Sequence, residues 1–538
     1  MDRLILFEDD HLLVIRKPAG LNTHSSGPFA GEGIYDWLRR REPRWADLAI
    51  MQRLDKETSG VLLFSKSRRA NVSLAKQFTR RRILKRYQLL TDRRPPAPEF
   101  KAESRIRKGQ GRFVSRTESA EDAGEENDGL PAETRFRVLE QRGGCWCVEA
   151  EPLTGRTHQI RLHAADCGIP ILGDSLYGGG NWHRLCLHAC FLGLRHPASN
   201  AEITFTDEPD FDAPTRRGLR EAVVVPGETT AYRLIHGAAD GYPGWYVERL
   251  GELLIASSVE EVAGDVPDWL VQLFRDSGAS SLYWRHLDRH IRGAAPAAAS
   301  PRLVRGRAVE GEFGVRENGL TFLMNMGEGY STGLFLDQRD NRRRLLANWV
   351  GPGFPVAPDS LSQATVLNVF AYTCGFSVAA AGAGATTTSL DLSRKYLDWG
   401  RRNFAANGMD PTRHDFIYGD AMDWLHRLAK KGRTFDVVIL DPPTFSQSKE
   451  SGVFRAEKDY AELATAAGRV LKPGGVLLAS TNSARLEPEA FLTMAQTGLR
   501  AAGRECHERM FFPQPPDFPT HRDEPGYLKT VWMRTVRP

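Results

Sequence analysis

The sequence predicts a multidomain chain of α+β and α/β segments. A mixed-sheet domain is expected over residues 1–213, a small α+β domain over 228–334 and a doubly wound parallel-sheet domain over 335–538. Three observations lead there. At 538 residues the chain is too long for one core and suggests three or four domains of roughly 150 residues each. Its first third consists of short apolar runs bounded by Gly, Pro and charged residues, the texture of a mixed sheet. Its last third alternates apolar runs with helical stretches, the pattern of parallel strands joined by crossover helices.

The runs Leu12-Leu13-Val14-Ile15 and Val61-Leu62-Leu63-Phe64 are strand candidates of the first segment. The polar, proline-containing stretch from Asp207 to Pro214 reads as a linker. In the second segment Leu253-Leu254-Ile255 and Ser281-Leu282-Tyr283-Trp284 predict strands, Val266 to Phe274 a helix, and Ala294 to Ala299 a loop. In the third, strands are expected at Val366–Phe370, Thr387–Leu390, Val437–Leu440 and Val476–Ala479. There are no internal repeats.

Hydrophobic residues make up 41 % and charged residues 26 %, ordinary values for a globular protein. No apolar run approaches the roughly 18–20 residues of a membrane helix, and the N-terminus lacks the features of a secretory signal, so a cytoplasmic location without membrane association is expected. The net charge of +5 is mild. Basic clusters at Arg80-Arg81-Arg82, Lys85-Arg86 and Arg339 to Arg344 suit either phosphate contacts or a solvated helix face. The acidic run Glu118 to Asp128 reads as a solvated insertion. Seven scattered cysteines predict neither disulfides nor zinc. Cys145 and Cys147 alternate along a strand, and Cys186 and Cys190, near His183 and His188, lack a second ligand pair.

Three blocks of the first segment carry chemistry. They are Arg53-Leu54-Asp55-Lys56-Glu57-Thr58-Ser59-Gly60, Lys85-Arg86-Tyr87, and Gly155-Arg156-Thr157-His158-Gln159-Ile160-Arg161-Leu162-His163 followed by Gly168 to Asp174. In this order they resemble the ribosomal large-subunit pseudouridine synthase A family across about residues 5–197. The resemblance implies that Asp55 is the catalytic aspartate, attacking the ribose or abstracting its proton while the uracil glycosidic bond breaks. The detached base would rotate and rejoin through carbon 5, which needs no cofactor or metal. Tyr87 would stack on the target base, Arg161 would pair with Asp55, and Arg53 would help hold the nucleotide out of its stack. Gln52 stands where the family usually has His. The synthase-like domain is expected to open the chain, without the small RNA-binding domain many relatives carry in front, so RNA recognition is expected from the appended segments.

In the third segment, Thr332 to Arg342 contains Gly333-Leu334-Phe335-Leu336-Asp337-Gln338-Arg339, and the first parallel strand leads into Asn368-Val369-Phe370-Ala371-Tyr372-Thr373-Cys374-Gly375. In a doubly wound sheet the ligand lies at the carboxyl ends of the strands. Asp391 ends the next strand, placed to accept from ribose hydroxyls; Asp420 is expected near an adenine edge; Asp441 opens Asp441-Pro442-Pro443-Thr444-Phe445. Residues 228–538 resemble the large-subunit rRNA methyltransferases with a GxxLDQR stretch, a Tyr-Thr-Gly-Gly turn and an Asp-Pro-Pro loop. The resemblance implies S-adenosylmethionine as donor, a Rossmann-like domain, and a preceding small domain that helps hold RNA. The expected donor residues are Asp337, Gln338, Arg339, Asn368, Phe370, Tyr372, Gly375, Asp391, Asp420 and Asp441. Cys374 replaces a usual glycine.

Methylating cytosine at carbon 5 requires a cysteine thiolate to add to carbon 6. Where cytosine-methylating relatives carry that cysteine, this chain reads Ala479-Ser480-Thr481-Asn482-Ser483, and no cysteine lies between Cys374 and Cys506. A ring nitrogen needs no covalent help, because its lone pair attacks the methyl directly. With Asp441 and Phe445 holding the base, the stretch Asp441 to Lys449 with Asn482 looks more like relatives that methylate guanine at nitrogen 7. The favoured reading is a bifunctional enzyme that isomerises a uridine and methylates another base, a guanine nitrogen, in large-subunit rRNA, its oligomeric state open. The same activities on tRNA, cytosine carbon-5 methylation, and an RNA-binding assembly factor with one inactive centre are the alternatives, with a small-molecule methyltransferase more distant.

Overall fold

The computed structural model describes residues 3–31, 33–116, 129–287, 300–329, 331–448 and 452–536; the acidic run 118–128, the alanine-rich 294–299 and Lys449 lie outside them. Two compact units divide the chain. One comprises Met1–His24, Gly33–Asp36 and Asp47–Val223, the other Ser25–Glu32, Trp37–Ala46 and Val224–Pro538. No helix among the described residues is long and apolar enough to cross a membrane.

In the first unit eleven described strands join one mixed sheet. Within it Ser59–Ser65 runs antiparallel to Leu12–Lys17 on one side and parallel to Leu187–Arg195 on the other. Every residue of Ser59–Ser65 is buried, which explains why Val61 to Phe64 reads as a continuous apolar run rather than an alternation. Gly60 (φ 118°) permits the parallel pairing, since a Cβ there would lie 2.3 Å from the Ala189 carbonyl oxygen. On the far side of Leu187–Arg195 follow Leu84–Thr91 and then Cys145–Pro152, both antiparallel. Cys186 and Cys190 are buried, and burial pushes each thiol up to about 12. The expected linker is irregular but anchored: Arg16 Nε donates to Asp207 at 2.6 Å and Trp182 Nε1 to the Phe211 carbonyl at 3.1 Å. The unit continues through helix Thr215–Val223.

The second unit contains a five-stranded sheet, Ala231–His236, Trp245–Leu250, Leu253–Ser258, Ser281–His286 and Arg302–Gly306, with helix Asp268–Ser277 connecting its parallel pair. Beyond it lies a seven-stranded sheet in the order Asp415–Tyr418, Thr386–Asp391, Thr365–Val369, Phe435–Leu440, Leu471–Thr481, Lys529–Thr535, Cys506–Phe512. The first five are parallel; Lys529–Thr535 is antiparallel to both neighbours. Thr365–Val369 leads off towards both sides of the sheet, so the strand order reverses beside it and leaves a crevice at the strand ends. We keep the division at 228–334 and 335–538 as a proposal; the two sheets fall on either side of it.

The arginine cluster departs from both expectations. Arg339, Arg342 and Arg344 are buried. Arg339 forms a two-bond ion pair with Asp517 at 2.7 and 2.8 Å, and Arg342 one with Glu317 at 2.6 and 2.7 Å. Arg344 lies over the Phe512 ring, 3.6 Å from its centroid, and Arg343 pairs with Glu42. These guanidinium groups are committed to structural partners instead of phosphates, which offsets the cost of burying their charge. Arg80, Arg81 and Arg82 are exposed.

Candidate active sites

A cavity of about 550 Å³ in the first unit brings Arg53, Asp55, Tyr87 and Arg161 together, with Lys85 and His158 beside them. The loop carrying Asp55 is held from below. Thr23 Oγ1 donates to the Leu54 carbonyl at 2.8 Å and accepts from the Leu54 N–H at 3.1 Å. The buried Lys17 ammonium donates to the carbonyls of Pro18, Lys56 and Thr58 at 3.0, 3.2 and 2.8 Å. Burial pushes Lys17 down to about 7 against the pull of Asp55 and Glu57. No sequence pattern marks Lys17, because its partners are backbone carbonyls. Gln52, where histidine is usual, donates from Nε2 to the Val61 carbonyl at 3.2 Å and so ties the loop to strand Ser59–Ser65.

Tyr87 stands opposite Ala189 on one neighbouring strand and Ala150 on the other, small residues that leave its ring room. Burial and the Asp55 charge push its phenol up. The expected Arg161–Asp55 pair is replaced by another: Arg161 Nε and Nη2 each donate to Asp174 at 2.7 Å. That carboxylate also accepts the N–H groups of Leu176 and Tyr177, which fixes it on the arginine side. Arg161 Nη1 is buried without a hydrogen-bond partner among the described residues, and Asp55 adds to the field that keeps the guanidinium charged.

In the second unit a cavity of about 370 Å³ lies at the strand ends, lined by Asp337, Gln338, Phe370, Tyr372, Asp391 and Asp441 among others. Asp391 accepts the N–H groups of Tyr372 and Ser393, both at 2.8 Å, and burial raises its pKa. Its bond to Tyr372 braces a turn in which Phe370, Tyr372 and Cys374 have φ of 62°, 50° and 64°. Three left-handed non-glycine residues in five positions store backbone strain where a ligand would lie. Asp441 accepts from Gln338 Nε2 at 3.0 Å, and Asp337 from Tyr527 Oη at 2.9 Å. Burial, and then the charge of Asp337, push Asp441 up to about 7; burial raises Asp337 too.

Four expected residues do not line this cavity. Arg339 is held by Asp517; the Asn368 amide donates to Ser377 Oγ at 3.0 Å; Gly375 faces Leu334 and Arg342; and Asp420 caps helix Ala421–Lys430 by accepting from Met422 and Asp423. Tyr396, Leu390 and Leu392 line it without having been singled out. A larger groove of about 1380 Å³ adjoins it, sharing Ser331, Phe335, Asp337, Pro443 and Asn482. Phe445 lines this groove with Arg233, Tyr246, Arg285, Arg455 and Arg485, so aromatic faces and cations meet beside the acidic cavity.

Residues 11–166 match the family model for RNA pseudouridylate synthase, and residues 270–534 that for S-adenosylmethionine-dependent methyltransferase. A protein of Deinococcus radiodurans called ribosomal RNA large subunit methyltransferase is 32 % identical over 317 residues, covering 57 % of this chain and 73 % of that one. The chain belongs to the S-adenosylmethionine-dependent methyltransferase family. The ribosomal RNA large subunit methyltransferase I of Shewanella denitrificans is 31 % identical over 396 residues, covering 69 % of this methyltransferase and 94 % of its own length. The crystal structure of SMU.776 complexed with SAH matches with a TM-score of 0.50 and 28 % identity, covering 57 % of this chain and 76 % of that one. The methyltransferase thus also carries a pseudouridine synthase domain and uses S-adenosylmethionine.

When bound, S-adenosylmethionine supplies an electrophilic methyl group on a sulfonium. The acidic character of this cavity fits it: burial, and then the charge of Asp337, raise the pKa of Asp441, and a cationic ligand relieves that repulsion. We propose that Asp391 accepts from the ribose diol with its remaining lone pairs. Asp391→Ala is expected to weaken donor binding by at least roughly tenfold, because charged hydrogen bonds of about 1.5–3 kcal/mol are lost and the strained turn is released. Calorimetry giving an unchanged affinity would remove Asp391 from the site.

Cys374 has a structural consequence. A Cβ on Gly400, inside helix Arg394–Ala406, would lie 2.3 Å from Cys374 Sγ and 2.9 Å from its Cβ. Gly400→Ala is therefore expected to lower stability by about 1–3 kcal/mol despite better helix propensity. Adding Cys374→Gly should recover most of the loss in thermal unfolding. Equal loss in the single and double variants would mean that the two residues are not coupled.

Proposed function

We propose that the chain modifies RNA twice. Its first unit converts a uridine to pseudouridine, and its second transfers a methyl group from S-adenosylmethionine to a guanine nitrogen, both in large-subunit ribosomal RNA. The observation that carries the methyl-transfer reading is the shared wall between the acidic cavity and the larger groove. A base turned out of its stack into that groove meets Phe445 and Pro443 on one side and the donor cavity on the other, while Arg455 and Arg485 offer charge to phosphates. The relatives' names support large-subunit RNA as the substrate.

Attack by a nitrogen lone pair fits the cysteine inventory. Cys374 is buried with its thiol pushed up to about 12, Cys506 is raised by burial in strand Cys506–Phe512, and neither lines the cavity or the groove. Cys374→Ala is accordingly expected to keep methylation within about threefold, whereas complete loss in a folded variant would restore a covalent cytosine route. The deciding experiment incubates unmodified large-subunit rRNA transcripts and, separately, unmodified tRNA transcripts with protein and S-adenosylmethionine, then separates nucleosides by chromatography and mass spectrometry. Pseudouridine with methylguanosine is expected. Methylcytidine, or modification of tRNA alone, would replace this reading with one of its rivals.

A further inference from the structure

His158 lies in the Gly155–His163 block, yet neither the synthase reading nor the expected site gives it a task. Its backbone is left-handed (φ 57°, ψ 17°) at the start of helix Gln159–Asp166, and its side chain makes no capping bond there. A non-glycine residue held in that region signals a conformation imposed by its surroundings. The imidazole Nδ1 is 2.9 Å from Tyr177 Oη, and Tyr177 Oη is 3.2 Å from the Phe113 carbonyl oxygen. A phenol has one proton and a carbonyl has none. Both bonds form only if Tyr177 donates to Phe113 while His158 Nδ1–H donates to Tyr177. Nε2 then carries the lone pair, and Nε2 is the nitrogen that faces Asp55, 3.9 Å from its Oδ2.

We propose that His158 is the base that removes the carbon-5 proton of the rotated uracil, a role that rests on the pseudouridine synthase reading. The C1′–N1 bond breaks, the base turns and C1′ bonds to C5, which then carries both the ribose and its original hydrogen. Nε2 takes that proton. The C5–H electron pair restores the C5–C6 double bond, the C6–N1 π pair moves onto N1, and N1 takes up a proton; the imidazolium releases its own to solvent. Product and substrate are isomers, so nothing else is consumed.

The position suits the chemistry. Asp55 must reach the ribosyl carbon, so a nitrogen 3.9 Å from its carboxylate stands beside the atom to which C5 becomes attached. Asp55, Glu57, Arg161 and Asp174 face the ring, with Tyr177 behind it. Burial, and Arg161 in the same sense, lower its basicity; Asp55, Asp174 and Glu57 act against them. The neutral ring the step requires is therefore favoured at neutral pH. Tyr87, the other candidate base in the cavity, keeps its proton through burial and the charge of Asp55.

The test is single-turnover conversion of a large-subunit rRNA transcript made with uridine or 5-deuterouridine, by wild type, His158→Gln, Tyr177→Phe and Asp55→Ala. His158→Gln is expected to be slower by roughly 100-fold or more and to show a primary deuterium isotope effect absent from wild type at neutral pH. A structural role would slow the reaction without creating that isotope effect. Tyr177→Phe is expected to lose less rate, with its acid limb displaced. If His158→Gln fails to fold, wild type decides: its isotope effect must grow as pH falls and the imidazole protonates. A normal rate in His158→Gln, a slow variant without an isotope effect, or a wild-type effect flat with pH overturns the proposal. Pseudouridine made by Asp55→Ala would overturn the synthase reading beneath it as well.

Discussion

Asp55→Ala is expected to abolish pseudouridine formation, by roughly 10⁴-fold or more, while S-adenosylmethionine affinity stays within about twofold of wild type. The size follows from how little else in the cavity can replace it. Tyr87 holds its proton, Lys85 carries the wrong charge for the task, and Arg161 is committed to Asp174. The loop is supported by Thr23, Lys17 and Gln52 through backbone groups, so removing the carboxylate leaves the loop's scaffold in place. Asp55→Asn, nearly the same shape without charge, should be as inactive. Nucleosides from treated transcripts, separated chromatographically because uridine and pseudouridine have equal mass, give the answer. Substantial product from either variant would take the reaction away from Asp55.

The second large effect concerns Asp441. With the folded-state pKa raised to about 7, the protein without donor keeps this proton at mildly acidic pH. Folding with the carboxyl neutral is favoured at low pH, and that contribution is lost as pH rises through about 7, the reverse of a salt-bridged aspartate. A cationic donor prefers the ionised form. S-adenosylmethionine binding should therefore release a proton, with affinity falling about tenfold per pH unit below 7 and levelling above it. Asp441→Asn should abolish that slope and slow methyl transfer by roughly a hundredfold. Calorimetry in buffers of different ionisation enthalpy reads both the slope and the proton. A pH-independent affinity in wild type would mean that Asp441 does not feel the donor's charge.

Much of the fold was legible because it rests on local pattern. Val437–Leu440 and Val476–Ala479 lie in strands of the parallel sheet, and the helix expected over Val266 to Phe274 forms as Asp268–Ser277, since burial on one or both faces imprints itself on neighbouring residues. Asp391 and Asp441 were legible as acids at strand ends, Asp337 only through the resemblance of its GxxLDQR stretch, and the three meet in one cavity. The arginine helix was not. Four arginines in six positions look solvated until Glu317 and Asp517, 25 and 178 residues from their partners, close on them. Arg161 shows the same limit on a smaller scale, because Asp174 competes for it only once the chain has turned. Lys17 leaves no trace at all, as a cation that binds carbonyls needs no particular residue opposite.

The parallel pairing of Gly60 with Ala189 also bears on how the chain acquires its first activity. A parallel neighbour so far along the sequence brings a large loop-closure entropy, and such contacts form slowly and late. As the chain leaves the ribosome, the Asp55 loop emerges long before the strand that braces it. Pulsed proteolysis of stalled nascent chains should find 1–186 labile and chains extending past 223 protected. The synthase centre is therefore born incomplete, and catalysis waits on the emergence of a strand that carries none of its candidate catalytic residues.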